Sequence, residues 1–383
     1  MPSLTRTFRA GLLLPLALLA GHAFADAVTA SAPPEIPAKS YILIDHASAN
    51  VLAESDADAR LEPASLTKLM TAYVAFDALQ RGEIGLDDAV TVSERAWRTP
   101  GSRMFIEVDT QVSVEKLLHG LIVQSGNDAG IALAEHIAGS VEAFVELMNR
   151  RASELGMQGT TYANPTGLPA KGHLSTARDQ AVLARAIIDR FPEYYDWYSI
   201  RDYTYNEIKQ HNRNSLLWRD DSVDGMKTGY TQAAGYCQVS SAERSGMRLI
   251  AVVLGMPSAQ ARADGSEALL DYGFAHFETH RLYARGQQLT EVRVWKGSPA
   301  FTGLAIDRDL YVTIPRGAYD LLSATMQLTT ELVAPVDQAT PVGRVDVSLA
   351  GERLATASLT PSRAVPVAGL LTRMVDGLKL WLE

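Results

Sequence analysis

The chain has 383 residues, 47% apolar and 21% charged, with a formal net charge of −9 and a single cysteine. The acidic balance argues against nucleic acid as a partner, and one cysteine excludes an intrachain disulfide even in an oxidising compartment. The length suits one large domain with a smaller companion.

Arg6 and Arg9 precede an apolar run from Gly11 to Ala20, and Ala23-Phe24-Ala25 fits a small-residue cleavage site, so residues 1–25 read as a signal peptide. The run is too short to span a bilayer, which predicts export with a mature start near Asp26. Residues 26–37, rich in Ala, Ser and Pro, read as an extended leader. Tyr41–Ile44 and Val51–Glu54 predict two strands joined by a turn at Ala47–Asn50. Pro63 is placed to open a helix that carries Leu66–Leu79 and closes at Gly82. Helical spacing recurs at Val114–Val123, Asp128–Ala138, Val141–Leu155 and Arg178–Asp189, and strands are predicted at Gly235–Ser241 and Leu249–Leu254. Strands at both ends and helices between them predict an α/β sandwich, an antiparallel sheet covered by a helical cluster, over residues 38–278.

Past residue 279 the pattern changes to short alternating runs, Leu289–Trp295, Leu310–Ile314, Met326–Thr330 and Val345–Leu349, predicting a small all-β domain over 279–364. Residues 365–383 return to helical spacing. Leu370, Leu371, Met374, Val375, Leu378, Trp381 and Leu382 fall on one side, and Arg373, Asp376, Lys379 and Glu383 on the other. Such an amphipathic helix suits a membrane interface, although its charges roughly cancel and packing on the β domain or self-association is the competing use.

Three motifs in order carry the chemistry: Ser65-Leu66-Thr67-Lys68, Ser125-Gly126-Asn127 and Lys227-Thr228-Gly229. Each is weak alone; as an ordered set they supply the parts of a serine acyl transfer. Residues three apart on a helix share a face, so Lys68 reaches Ser65. Burial disfavours the ammonium form, which lets Lys68 take the hydroxyl proton. The helix start also offers the Ser65 backbone N–H to a developing oxyanion. Ser125-Gly126-Asn127 falls in a tight turn between helices, where a hydroxyl and an amide can face one point. Lys227 and Thr228 on an edge strand can bind a carboxylate, with Gly229 allowing close backbone approach.

Several other features read as scaffold. Cys237 lies in a predicted strand as a small buried hydrophobe and is a poor nucleophile. Asn164–Leu168 is turn-forming, and Thr176 with Asp179 resembles a capping box. His276 and His280 are spaced like one helix turn but lack the Glu of a His-Glu-x-x-His site, so neither a metal nor any other cofactor is expected.

Taken together, Pro63–Lys68, Ser125–Ala129, His211–Asn214, Asp224–Gly229, the β domain and the terminal helix resemble the penicillin-recognising serine acyl-enzymes. Within them the chain is most similar to the low-molecular-weight penicillin-binding proteins that are D-alanyl-D-alanine carboxypeptidases. The resemblance implies that Ser65 is acylated by the penultimate D-alanine of a peptidoglycan stem peptide, and by β-lactam antibiotics as covalent inhibitors. It further implies Lys68 as base, Ser125 and Lys227 as the route of a proton to the leaving amine, and Asn127 as holder of the substrate amide. Thr228 and Arg262 would be carboxylate partners, with Arg213 tuning the same region and Gly229 and Tyr230 lining the strand. It also implies a periplasmic location with residues 366–383 attached to the inner membrane. One departure is Tyr230, where some family members carry histidine; the backbone N–H that serves as second oxyanion donor is unaffected. Class A β-lactamase activity is disfavoured because no Glu-x-x-Leu-Asn string occurs. A DD-endopeptidase, or a non-catalytic wall-binding scaffold, remains the alternative.

Overall fold

The computed structural model describes residues 31–382; the signal-peptide reading and the first residues of the leader lie outside them. Two units are distinguished, residues 32–275 and residues 276–382.

The first unit is built on a five-stranded antiparallel sheet in the order Val51–Ser55, Ser40–Asp45, Met247–Met256, Gly235–Arg244, Val223–Thr231. The first strand of the unit thus pairs with the last, Ile42 opposite Val252, and Val223–Thr231 is left at one edge. Central strands buried on both faces need apolar residues at every position. Leu249 to Leu254 supply them, at 0–1% exposure.

The helical cluster covers this sheet. Its central helix, Thr67–Gln80, is buried from Thr67 through Ala78, consistent with a sequence that is apolar all round. Helices Asn127–Ala138, Val141–Glu154 and Ala177–Arg190 complete the cluster. Ser140 and Thr176 cap the last two, each hydroxyl accepting from the backbone N–H three residues on. The capping box at Thr176 is only half made. Asp179 turns its carboxylate instead to the Gly159 N–H at 2.9 Å and the Thr160 hydroxyl at 2.6 Å.

The helix predicted over Val114–Val123 is α-helical only to His119 and widens into a π turn at Gly120–Gln124. Such turns are rare inside helices and concentrate at functional positions. This one delivers the chain to Ser125.

The second unit contains a six-stranded sheet in the order Leu322–Leu328, Gly343–Leu349, Glu352–Pro361, Phe301–Ile306, Gln288–Trp295, Leu332–Val333, and a two-stranded sheet, Phe277–Tyr283 with Leu310–Pro315. Val294, Leu304, Val312, Ile314, Val345 and Val347 form its core. Three of the four alternating runs read from sequence fall within these strands, and the fourth, Met326–Thr330, overlaps only the end of Leu322–Leu328; Phe277–Tyr283, Phe301–Ile306 and Glu352–Pro361 carry too few strictly alternating apolar residues to announce themselves. His276 ends the helix Ala259–His276 and His280 lies in the following strand, so the two do not share a helix turn. No metal-ligating cluster occurs among the described residues.

Helix Leu370–Leu382 belongs to this unit and meets the β-sheet through its polar side. Asp376, 4% exposed, accepts from Arg293 Nη2 at 2.8 Å and from the Lys296 backbone N–H at 2.7 Å. The seven apolar residues of the other side stand 52–80% exposed. The competing use in which the apolar side packs on the β domain is therefore not the arrangement found. With Asp376 buried in an ion pair, the helix charges left in water are those of Arg373 and Lys379.

Candidate active site

Pro63 begins the turn that positions Ser65. It is the N-cap of a 3-10 turn, Ala64–Leu66, which runs directly into helix Thr67–Gln80. Ala64 is left-handed at φ +47°. Two glycines hold this turn from different sides. A Cβ on Gly167, itself at φ +82°, would lie 1.8 Å from the Ala64 carbonyl oxygen. One on Gly229 would lie 3.0 Å from the Ser65 nitrogen and 3.1 Å from the Pro63 carbonyl. Only glycine permits strand Val223–Thr231 and the 163–168 segment to approach the turn at Ser65 this closely.

Three residues after Ser65, at the start of the helix, Lys68 is 1% exposed and donates from Nζ to Ser65 Oγ at 3.0 Å and to the Thr166 carbonyl at 2.6 Å. Burial, reinforced by the positive charge of Arg213 and opposed by Asp128, brings its pKa down to about 7. Lys227, 3% exposed, donates to Ser125 Oγ at 2.9 Å and to the Thr228 carbonyl at 2.9 Å. Burial first, then the charges of Lys68, Arg213 and Arg262, hold it well below the usual lysine range. Each lysine thus lies in the electrostatic field of the other, and the two Ser–Lys pairs occupy one site.

Ser125 follows the π turn in a left-handed conformation, φ +61°, and is 2% exposed. Asn127 is fixed by the loop before it: its N–H donates to the Ser102 carbonyl at 2.7 Å and its Nδ2 to the Pro100 carbonyl at 2.6 Å. Thr228 is buried beside Lys227 at 5% exposure. Arg262, 8% exposed, sits 5.9 Å from the Tyr236 ring and donates to the Arg213 carbonyl at 3.4 Å. Burial lowers its pKa, and among the described residues no carboxylate pairs with Arg262 or Arg213. An unpaired buried guanidinium is costly in isolation, which makes it a ready receptor for an anion. Tyr230 is 54% exposed, its ring 4.4 Å from that of Tyr236.

Cys237 is buried in strand Gly235–Arg244 with its pKa pushed up to about 11 by burial, as an inert thiol requires.

The 164–168 turn, scaffold by its sequence, brings the Thr166 carbonyl to the Lys68 amine. Asn164 Oδ1 accepts from Thr166 N–H at 3.1 Å, Thr166 Oγ1 at 2.9 Å and Gly167 N–H at 2.8 Å, so one amide shapes the carbonyl that Lys68 uses. His173 was not singled out at all. Its Nδ1 accepts from the Ala163 N–H at 3.0 Å, which leaves Nε2 to donate to Thr67 Oγ1 at 2.7 Å. Burial and the Lys68 charge lower its pKa to about 4, so it braces helix and turn as a neutral ring. Backbone carbonyls and a histidine outside any motif leave no signal in a single sequence.

Residues 26–258 match the family described as D-alanyl-D-alanine carboxypeptidase. The chain belongs to this family. Residues 277–367 match a second family, the penicillin-binding protein 5 C-terminal domain. Among curated relatives, the D-alanyl-D-alanine carboxypeptidase DacC of Escherichia coli is 44% identical over 98% of this chain and 95% of its own. The enzyme DacA of Haemophilus influenzae is 42% identical over 92% of this chain and 91% of its own. Solved structures include penicillin-binding protein 5 from Haemophilus influenzae, with a TM-score of 0.85 at 43% identity over 88% of this chain and 99% of that one. The ampicillin-bound form of penicillin-binding protein D2 from Listeria monocytogenes has a TM-score of 0.59 at 31% identity, covering 63% of this chain and 99% of that one.

Proposed function

We infer that this family member is a serine D-Ala-D-Ala carboxypeptidase acting on peptidoglycan stem pentapeptides and acylated by penicillins. The observation that carries the reading is the 3.0 Å contact between Ser65 Oγ and a fully buried Lys68 whose pKa stands at about 7. A lysine in that state is available as a neutral base, and the Thr166 carbonyl takes one of its hydrogens and so orients the amine toward Ser65.

Ser65 Oγ attacks the carbonyl of the penultimate D-alanine and its proton passes to Lys68 Nζ. The oxyanion is met by the backbone N–H groups of Ser65 and Tyr230. The peptide C–N bond then breaks, and the departing D-alanine amine takes a proton by way of Ser125 Oγ, to which Lys227 donates. Asn127 holds the amide on the acyl side. The Pro100 carbonyl occupies its Nδ2, leaving Oδ1 to accept a substrate N–H. Thr228 and Arg262 take the terminal carboxylate, with Arg213 adding positive charge. Water, activated by Lys68, releases the shortened peptide. A β-lactam acylates the same oxygen.

The exposed apolar side of helix Leu370–Leu382 supports peripheral attachment to the outer face of the inner membrane, consistent with export by residues 1–25. No described helix is long and apolar enough to cross a bilayer.

The test combines covalent labelling by a fluorescent penicillin with mass spectrometry of a synthetic pentapeptide. The parent chain labels and removes one alanine, and Ser65→Ala does neither. Cleavage of a cross-linked peptide dimer without loss of the terminal alanine would instead identify an endopeptidase.

A further inference from the structure

Non-glycine residues with left-handed backbone include two members of the catalytic turns, Ala64 beside the nucleophile and Ser125. Phe105, at φ +68°, is the only aromatic residue in that state among the described residues. A bulky side chain there is strained, and such a conformation persists only where its surroundings over-determine it. Asp128 does so. Fully buried next to Asn127, its carboxylate accepts from three successive backbone N–H groups, Met104 at 3.0 Å, Phe105 at 2.9 Å and Ile106 at 3.3 Å. Charge-assisted bonds of this kind are about twice as strong as neutral ones. Gln210, in strand Ile208–His211, braces the loop from outside by donating to the Arg103 carbonyl at 3.3 Å.

All this fixes the ring without burying it. Phe105 is 43% exposed, with the Arg103 guanidinium 6.0 Å from the ring centroid. Core packing is therefore not what the strained backbone achieves; presentation of an apolar face is. The same loop holds Asn127 through Ser102 and Pro100, so Phe105 belongs to the loop beside Asn127, three residues on from Ser102. If Asn127 holds the amide that joins the penultimate D-alanine to the residue before it, the next group along the substrate is that residue's side chain.

We propose that Phe105 forms a subsite for the side chain of the stem residue preceding the two D-alanines, taking an extended, mainly aliphatic chain against its ring. This rests on the carboxypeptidase reading and adds to it a determinant of substrate choice outside the three motifs. Asp128 acts as a positioning residue that sets the angle of the ring.

The test compares two peptides that differ only in that side chain, Nα,Nε-diacetyl-L-lysyl-D-Ala-D-Ala and acetyl-L-alanyl-D-Ala-D-Ala. The variant Phe105→Gly removes the ring while suiting a left-handed backbone, so the loop survives. The quantity read is the ratio of kcat/KM for the long peptide to that for the short one. The parent chain favours the long peptide by about tenfold, in the range an apolar contact provides, and Phe105→Gly brings the ratio close to one, while Phe105→Tyr retains it. A ratio unchanged in Phe105→Gly overturns the subsite, whichever way the two absolute rates move. Penicillin labelling of Phe105→Gly reports separately on the acylating groups. A parent chain that neither labels nor cleaves either peptide sinks the carboxypeptidase reading and the subsite with it.

Discussion

Lys68 and Lys227 are buried in each other's field, and the hydrogen bonds of both amines go to hydroxyl and carbonyl oxygens rather than to carboxylates. With its pKa at about 7, Lys68 gains its neutral form as pH rises through neutrality. Acylation by a sub-saturating penicillin should therefore rise about tenfold per unit below pH 7 and level off above it, as stopped-flow fluorescence would show; a flat profile from pH 5 to 8 would contradict Lys68 as base. The same shift has a cost in stability. Between its folded value near 7 and the ordinary value of about 10.4, the unfolded chain holds a proton that the folded chain lacks, so stability rises with pH across that window and the penalty is complete below it. Lys68→Met removes a penalty on the order of 4 kcal/mol. It should abolish labelling yet raise Tm at pH 7, with the gain shrinking toward pH 10. An unchanged or lower Tm at pH 7 would show that the amine's two hydrogen bonds outweigh its desolvation.

At the scale of elements, the turn that carries Ser65 is pressed between strand Val223–Thr231 and the 163–168 segment, with glycine at both contacts. Gly167→Ala combines a left-handed backbone with a 1.8 Å clash against the Ala64 carbonyl. It should cost upwards of about 2 kcal/mol and suppress penicillin labelling; thermal unfolding and gel fluorescence would register both, and a variant that labels normally would show that the segment moves aside freely. This contact marks how far sequence reading reaches. The strand and helix periods of the first unit, the helix start at Ser65 and the edge position of Lys227 were legible because each is a local pattern imposed by burial. The pairing of Ser65 with Lys68 was legible from helical spacing, whereas that of Ser125 with Lys227 was reached through resemblance. The strap that supplies the Thr166 carbonyl and the bracing by His173 were not, since they join groups about 100 residues apart in the chain, nor was the left-handed Phe105, whose backbone is held by a carboxylate on a different element. Arg262 was reached through resemblance; its buried guanidinium without a carboxylate partner is a property only coordinates reveal.

At the scale of the whole molecule, the candidate active site lies in the unit over residues 32–275, while the unit over residues 276–382 carries the exposed helix. Deletion of residues 366–383 should release the protein from sedimented membranes and leave pentapeptide hydrolysis within about twofold of the full chain. Continued sedimentation would assign membrane attachment elsewhere. The orientation of that helix inverts the usual arrangement, since its carboxylate is what the protein covers and its leucines and tryptophan are what it leaves outside. Covering even half of those seven side chains is worth on the order of 5 kcal/mol. On the membrane-attached reading proposed above, that stabilisation comes from an oily neighbour rather than from the chain's own core.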